Sequence, residues 1–200
     1  SSRAQTAAMG AAALEALGAR GVPLHWLSAE LLASLSEVET SQGLVALARR
    51  PGFEEADLYR ATPLVLLADG IQNPGNVGGL LRTAEAAGAT GVYLTGASAD
   101  PLSWKALRGS MGSAFRLPHL CGLDADAALD RIQARGLAVL ATAADGERRY
   151  DQADLRGAVA VVVGAEGSGL SSAVKRRATV RLQIPLAPPV CLLYTSPSPR

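Results

Sequence analysis

Three stretches of this 200-residue chain concentrate polar side chains among glycines. In "ADGIQNPGNVGGLLRTAEAAG" (68–88), two amides and a guanidinium, Asn73, Asn76 and Arg82, stand around a proline and several glycines. Pro74 and Gly75 make a turn, and Gly78 and Gly79 allow a close backbone approach in the first turns of a helix. Val77, Leu80, Leu81, Ala84 and Ala87 recur at helical spacing as its buried face, which leaves Arg82 off the stripe, near Asn76 and Glu85. A helix start of this kind suits an anion or a sugar. The local alternative is that Asn76 caps the helix and Arg82 pairs with Glu85.

The second stretch, "VVVGAEGSGLSS" (161–172), sets Gly164, Gly167 and Gly169 around Glu166, between a buried strand and a helix starting near Ser171. It is neither G-x-G-x-x-G nor G-x-x-x-x-G-K-[ST], so a dinucleotide or nucleoside triphosphate is not its natural ligand. Three glycines and one acid let the backbone curl around a small cofactor instead. The missing fingerprint, with no acid closing a second strand, disfavours a Rossmann-type oxidoreductase. The third stretch, "SWKALRGSMGSAFRLPHL" (103–120), lines up Lys105, Arg108 and Arg116 beside small residues. That strip suits phosphate contacts, or alternatively forms a solvated helix face.

These loops need a scaffold that brings them together. The apolar runs at 64–68, 92–95, 137–142 and 159–163 are continuous rather than alternating and are separated by helical stretches, which predicts a doubly wound parallel α/β sheet. A run at 179–184 predicts a fifth strand. Ligands of such sheets bind beyond the carboxyl ends of the strands, where the glycine loops fall. Residues 1–50 predict part of a small α+β domain, with helices around strands at 23–26 and 43–48, and the charged stretch 51–63 predicts a linker. The Pro- and Ser-rich residues 189–200 have no strand or helix period and read as sequence foreign to the protein, the alternative being a flexible terminus.

Nineteen Lys and Arg against eighteen Asp and Glu leave almost no net charge, so a nucleic-acid partner must be met by a local basic patch. Cys121 and Cys191 form no CxxC pair, which argues against a metal site and suits a reducing cytoplasm. The sequence contains neither a membrane-spanning apolar run nor a basic-then-apolar leader. His25 and His119 are expected at the surface or in packing, and Trp26 and Trp104 in a core or interface.

Taken together, the three stretches resemble the SpoU (TrmH-like) family of RNA ribose 2′-O-methyltransferases of the SPOUT superfamily. Asn76, Gly78 and Arg82 match its Asn-x-Gly-x-x-x-Arg motif, "VVVGAEGSGLS" is similar to its second motif, and "RGSMGSAFRLP" to the segment between them. The resemblance covers about 60–186 and implies a parallel-sheet SPOUT fold at 64–188 with a C-terminal trefoil knot, preceded by the end of an RNA-binding domain. It implies S-adenosylmethionine as cofactor, no metal, a homodimer, and ribosomal RNA as substrate, with transfer RNA second.

By the same resemblance, Arg82 and Asn76 are catalytic, and Arg82, Lys105, Arg108 and Arg116 meet RNA. Gly164, Glu166, Gly167, Thr142, Ile184 and Leu186 line the cofactor, with Gly164 and Ile184 acting through the backbone. The third motif departs from the family pattern: "APPVCLLYTSPSPR" stands where a small-residue loop and Ser-Leu-Asn are expected. The alternative reading is therefore an RNA-binding protein of the same fold without the chemistry.

Overall fold

The computed structural model describes residues 2–36 and 43–185 and falls into two units, 1–48 and 49–200. The first unit holds two helices, α1 (Ser2–Ala19) and α2 (Ala29–Leu35), the latter capped by Ser28, whose Oγ accepts from the Leu31 N–H at 3.2 Å. The strands expected at 23–26 and 43–48 do not form. A strand exists only through a partner that takes up its backbone groups, and the described residues of this unit offer none. Trp26, expected in a core or interface, is 92% exposed.

In the second unit, strands β1 (Leu64–Asp69), β2 (Gly91–Thr95), β3 (His119–Leu123), β4 (Ala138–Thr142), β5 (Arg148–Arg149), β6 (Val159–Gly164) and β7 (Val180–Gln183) form one sheet in the order β3-β2-β1-β6-β4-β7-β5. Every pairing is parallel. The sequence showed five of the seven. β3 was hidden by its half-exposed "HLCGL", which joins β2 through a register shift at Leu94/Thr95, and β5 is two exposed arginines that contribute backbone to β7. Neither carries the apolar run by which strands are recognised.

Both faces are covered. Leu66 and Ala68 of β1 pack with α3 (Pro74–Ala86), α4 (Trp104–Ser110) and α5 (Ser113–Arg116), through Val77, Leu81, Ala106 and Ala114. Val65 and Leu67 point the other way, into a core with Leu129 and Ile132 of α6 (Ala125–Ala134) and Val174 of α7 (Ser172–Arg177). The period of two along β1 sorts these layers, so a continuous apolar run is what a doubly covered strand requires. Of the helical stripe expected in α3, Ala87 lies outside: it is the exposed C-cap residue.

The stretch 51–63, expected as a linker, is packed into the sheet. Glu55–Tyr59 is a 3-10 turn closed by reciprocal bonds between Glu54 and Asp57. Leu58 is fully buried, and a Cβ at Gly91 would come within 2.3 Å of its Cγ. The Thr90 hydroxyl donates to the Leu58 carbonyl at 2.6 Å, and the Tyr59 and Tyr93 hydroxyls meet at 2.9 Å. Leu58→Ala is therefore expected to cost about 2–5 kcal/mol of unfolding free energy in a urea titration, the usual range for emptying a core leucine site; a midpoint equal to the parent's would show that the turn contributes no core.

The trefoil knot and the tail at 189–200 concern chain beyond Pro185, outside the described residues. No helix among the described residues is long and apolar enough to cross a membrane.

Candidate active site

The order in which strands are added reverses between β1 and β6. Strands β2 and β3 extend from one side of this pair and β4 and β7 from the other. Asp69 and Gly164, the last residues of β1 and β6, lie opposite each other, so the first two glycine stretches leave the sheet side by side. Such a switch point opens a crevice at the carboxyl ends of the strands.

The first loop is fixed before α3 begins. Gly70 turns in the left-handed region (φ 74°), its N–H donates to Thr95 Oγ1 at 2.9 Å, and the Ile71 N–H donates to Ser98 Oγ at 3.1 Å. Asn73, not Asn76, is the cap: its Oδ1 accepts from the N–H groups of Gly75 at 2.8 Å and Asn76 at 3.4 Å. Pro74 follows at the helix start, where its missing donor costs nothing. With the cap role filled by Asn73, the Asn76 side chain projects across to the second loop, and its Nδ2 donates to Glu166 Oε1.

That second loop is a tight hairpin. Ala165 and Gly169 exchange backbone bonds of 3.1 and 2.9 Å, and Gly169 takes a left-handed conformation (φ 67°). A Cβ at Gly164 would come within 2.4 Å of the Gly169 backbone. The far end is tied back to β1: Asp69, 7% exposed, accepts the Ser171 N–H at 2.9 Å through Oδ2, while Ser171 Oγ caps α7 by accepting from Val174. Asp69 was not singled out in the sequence, and Asn73 and Ser171 were named there without their capping roles. Asn73 had a legible signal, since an Asn directly before a helix-starting Pro is a capping pattern.

Helix α4 sits against α3 through glycines. A Cβ at Gly78 would lie 2.3 Å from the Ala106 carbonyl oxygen, and one at Gly109 would lie 3.1 Å from that of Gly75. This close contact sets α4, with exposed Lys105 and Arg108, beside the helix that carries Arg82. Arg82, Lys105 and Arg108 are exposed and form no ion pair among the described residues. Arg116 differs. Its Nε and Nη2 each donate at 2.7 Å to the Glu85 carboxylate, which also accepts the Ser113 hydroxyl at 2.6 Å. The pairing conceived locally for Arg82 thus belongs to Arg116, and the basic strip expected from three side chains retains two.

Arg116, followed by Ser113, holds the Glu85 carboxyl down at about 2. A depressed carboxyl contributes stability above its ordinary range near 4.5, and that contribution is lost as pH falls toward about 2.

Of the residues expected around a cofactor, Thr142, Gly164 and Ile184 lie at or just past the ends of the adjacent strands β4, β6 and β7. Thr142 spends its hydroxyl on the Val162 carbonyl at 2.9 Å, so it orders the strand ends rather than offering a donor. Ile184 is 45% exposed, and Gly167 faces open space. Leu186 lies outside the described residues.

A cavity of about 420 Å³ opens elsewhere, at the ends of β2 and β3, between Arg50, Thr95, Ser98, Asp100, His119 and Cys121. It contains none of the expected site residues. Burial pushes the His119 imidazole down and the Cys121 thiol up to about 11, so neither is poised for chemistry near neutral pH. His119 packs edge-on against Phe53, the packing role expected for it, and its Nδ1 lies 3.0 Å from the Leu117 carbonyl. Trp104 is half exposed rather than in the core. Among the described residues no cluster of His, Cys, Asp and Glu could hold a metal ion.

A wholly parallel, doubly covered sheet with two glycine-bearing loops joined across its switch point is a ligand-binding α/β domain. More particularly, the chain belongs to the SpoU rRNA Methylase family, whose model matches residues 63–192. It is 33% identical over 166 residues to the 23S rRNA (guanosine(2553)-2'-O)-methyltransferase RlmP of Bacillus subtilis (strain 168), covering 83% of this chain and 65% of that protein. It is 31% identical to the 23S rRNA (guanosine-2'-O-)-methyltransferase RlmB of Ralstonia nicotianae, covering 88% and 71%. The crystal structure of the SpoU methyltransferase AviRb from Streptomyces viridochromogenes in complex with AdoMet superposes with a TM-score of 0.77 at 27% identity, covering 85% of this chain and 67% of that one. The chain thus spans just under two thirds of the length of the first of these relatives.

Proposed function

We propose that the protein transfers a methyl group from S-adenosylmethionine to a ribose 2′-hydroxyl in RNA. The observation that carries this reading is the Asn76–Glu166 hydrogen bond: it joins the helix bearing the unpaired Arg82 to the glycine loop at the switch point. The residues suit the cofactor. The loop carrying Gly164, Glu166 and Gly167 offers backbone groups and one acid, and Ile184 offers an exposed apolar side chain just past β7, the neighbour of β4. No arginine or lysine stands in 161–172 to repel a sulfonium.

When bound, S-adenosylmethionine supplies an already electrophilic methyl carbon. What remains for the protein is to align the ribose oxygen, keep water from competing for the methyl group and favour loss of the hydroxyl proton, which passes to bulk solvent. Arg82 does this as a cation, stabilising the developing alkoxide or gripping the adjacent phosphate, since a guanidinium does not release its own proton in a protein. Asn76 holds Glu166 and so keeps the two motifs in register. Lys105 and Arg108 supply sequence-independent contacts to the phosphate backbone.

The names of the relatives support 23S ribosomal RNA as the substrate, with transfer RNA second. A cytoplasmic homodimer is the assembly consistent with such a role, the first unit contributing to choice of RNA. The test is isothermal titration with S-adenosylmethionine and S-adenosylhomocysteine, beside a version whose residues after Leu186 are replaced by a complete third motif. Binding by the repaired chain, followed by methyl transfer to in vitro transcribed 23S rRNA, supports the reading. If neither version binds, the cofactor assignment falls and an RNA-binding protein without the chemistry takes its place.

A further inference from the structure

Glu85 determines which arginine of this region stays free. It lies three residues along α3 from Arg82, a spacing at which an arginine and a glutamate can pair on a helix surface. Its carboxylate is nevertheless filled from α5, by the two Arg116 bonds at 2.7 Å and the Ser113 bond at 2.6 Å. The segment between α4 and α5 is shaped to deliver them. Met111 and Gly112 both take left-handed conformations (φ 50° and 91°), which end α4 and start α5 in a new direction. A Cβ at Gly112 would lie 2.6 Å from Arg116 Nη1, so a side chain there would push the guanidinium from its present seat, and the φ of 91° itself favours glycine. A non-glycine residue in the left-handed region carries strain, and Met111 accepts it here.

We infer that Arg116 is a positioning residue: by occupying Glu85 it keeps the Arg82 guanidinium unpaired and available to the RNA. A bidentate arginine, joined by a hydroxyl, outcompetes a single i, i+3 partner because its planar fork satisfies both carboxylate oxygens at once. This inference rests on the proposed role of Arg82. It also replaces the direct RNA contact that the sequence suggests for Arg116.

The test compares R116M, E85Q and the double variant E85Q/R116M with the parent and with R82A, in kcat/KM for methylation of in vitro transcribed 23S rRNA. With Arg116 removed, Glu85 captures Arg82, and kcat/KM is expected to fall roughly two- to fivefold, the scale of an exposed helix ion pair. Removing the Glu85 charge as well restores most of the loss. If Arg116 touches RNA itself, or only clamps α5, the double variant is at least as impaired as R116M and the inference is overturned.

A second readout does not depend on turnover. In ¹⁵N-labelled protein the Arg82 Nε–H signal shifts and exchanges more slowly in R116M and reverts in E85Q/R116M; an Arg82 signal unmoved by R116M overturns the inference. Should R82A retain full activity, the role of Arg82 falls by itself, while the spectra still report which arginine Glu85 holds.

Discussion

Arg82→Ala is expected to lower single-turnover methyl transfer to RNA by about 10²–10³-fold, the loss seen when one preorganised donor to a developing oxyanion is removed. The size follows from its surroundings. Arg82 is exposed on α3 and has no ion pair among the described residues, so its charge is not already neutralised by a neighbour. Because it packs against no core, the substitution is expected to leave thermal unfolding and S-adenosylmethionine affinity within error of the parent. Arg82→Lys separates two modes of action. A lysine keeps the charge but not the planar fork, so it recovers most activity if Arg82 acts as a point charge and little if it grips a phosphate in bidentate fashion. A rate within threefold of the parent for Arg82→Ala would remove this residue from the mechanism.

Gly164→Ala is expected to weaken S-adenosylmethionine binding by at least about tenfold and to lower stability by about 1–3 kcal/mol, the usual cost of overpacking. The obstacle is backbone: the added Cβ would sit 2.4 Å from Gly169 C and 2.5 Å from Gly169 O, and neither atom can rotate away. The hairpin 165–169 must then shift, carrying Glu166 with it and breaking the Asn76 bond that joins the two motifs. Gly52→Ala provides the control, since a Cβ there meets nothing within 4 Å and its φ is not positive. Calorimetry and thermal unfolding on the same samples check both parts. An unchanged dissociation constant for Gly164→Ala would show that the hairpin does not form the cofactor pocket.

The two experiments probe different layers of one arrangement. Arg82 acts where the RNA would lie, whereas Gly164 fixes the path of a loop whose acid reaches the Arg82 helix through Asn76. A loss of methyl transfer without loss of cofactor binding in the first variant, and the reverse order of cause in the second, would place the two motifs on separate functions of a shared site.

The sequence determined the class of sheet, its five inner strands, the positions of both glycine loops, and the family. Each is written locally: continuous apolar runs because strands covered on both faces have no polar side, and glycines where a side chain would strike backbone, as Gly78 does against Ala106 and Gly164 against Gly169. Only the tertiary structure decided the pairings. That Asn73 caps α3 and releases Asn76 to Glu166, that Arg116 rather than Arg82 holds Glu85, and that Leu58 belongs to the core all depend on groups 28 to 90 residues apart, or on the choice between two amides three positions apart. A missing apolar run hid β3 and β5, and the strands expected locally at 23–26 and 43–48 have no pairing partner among the described residues. A side chain's type states what it can bond, but which of several eligible partners it meets is set by how the chain packs.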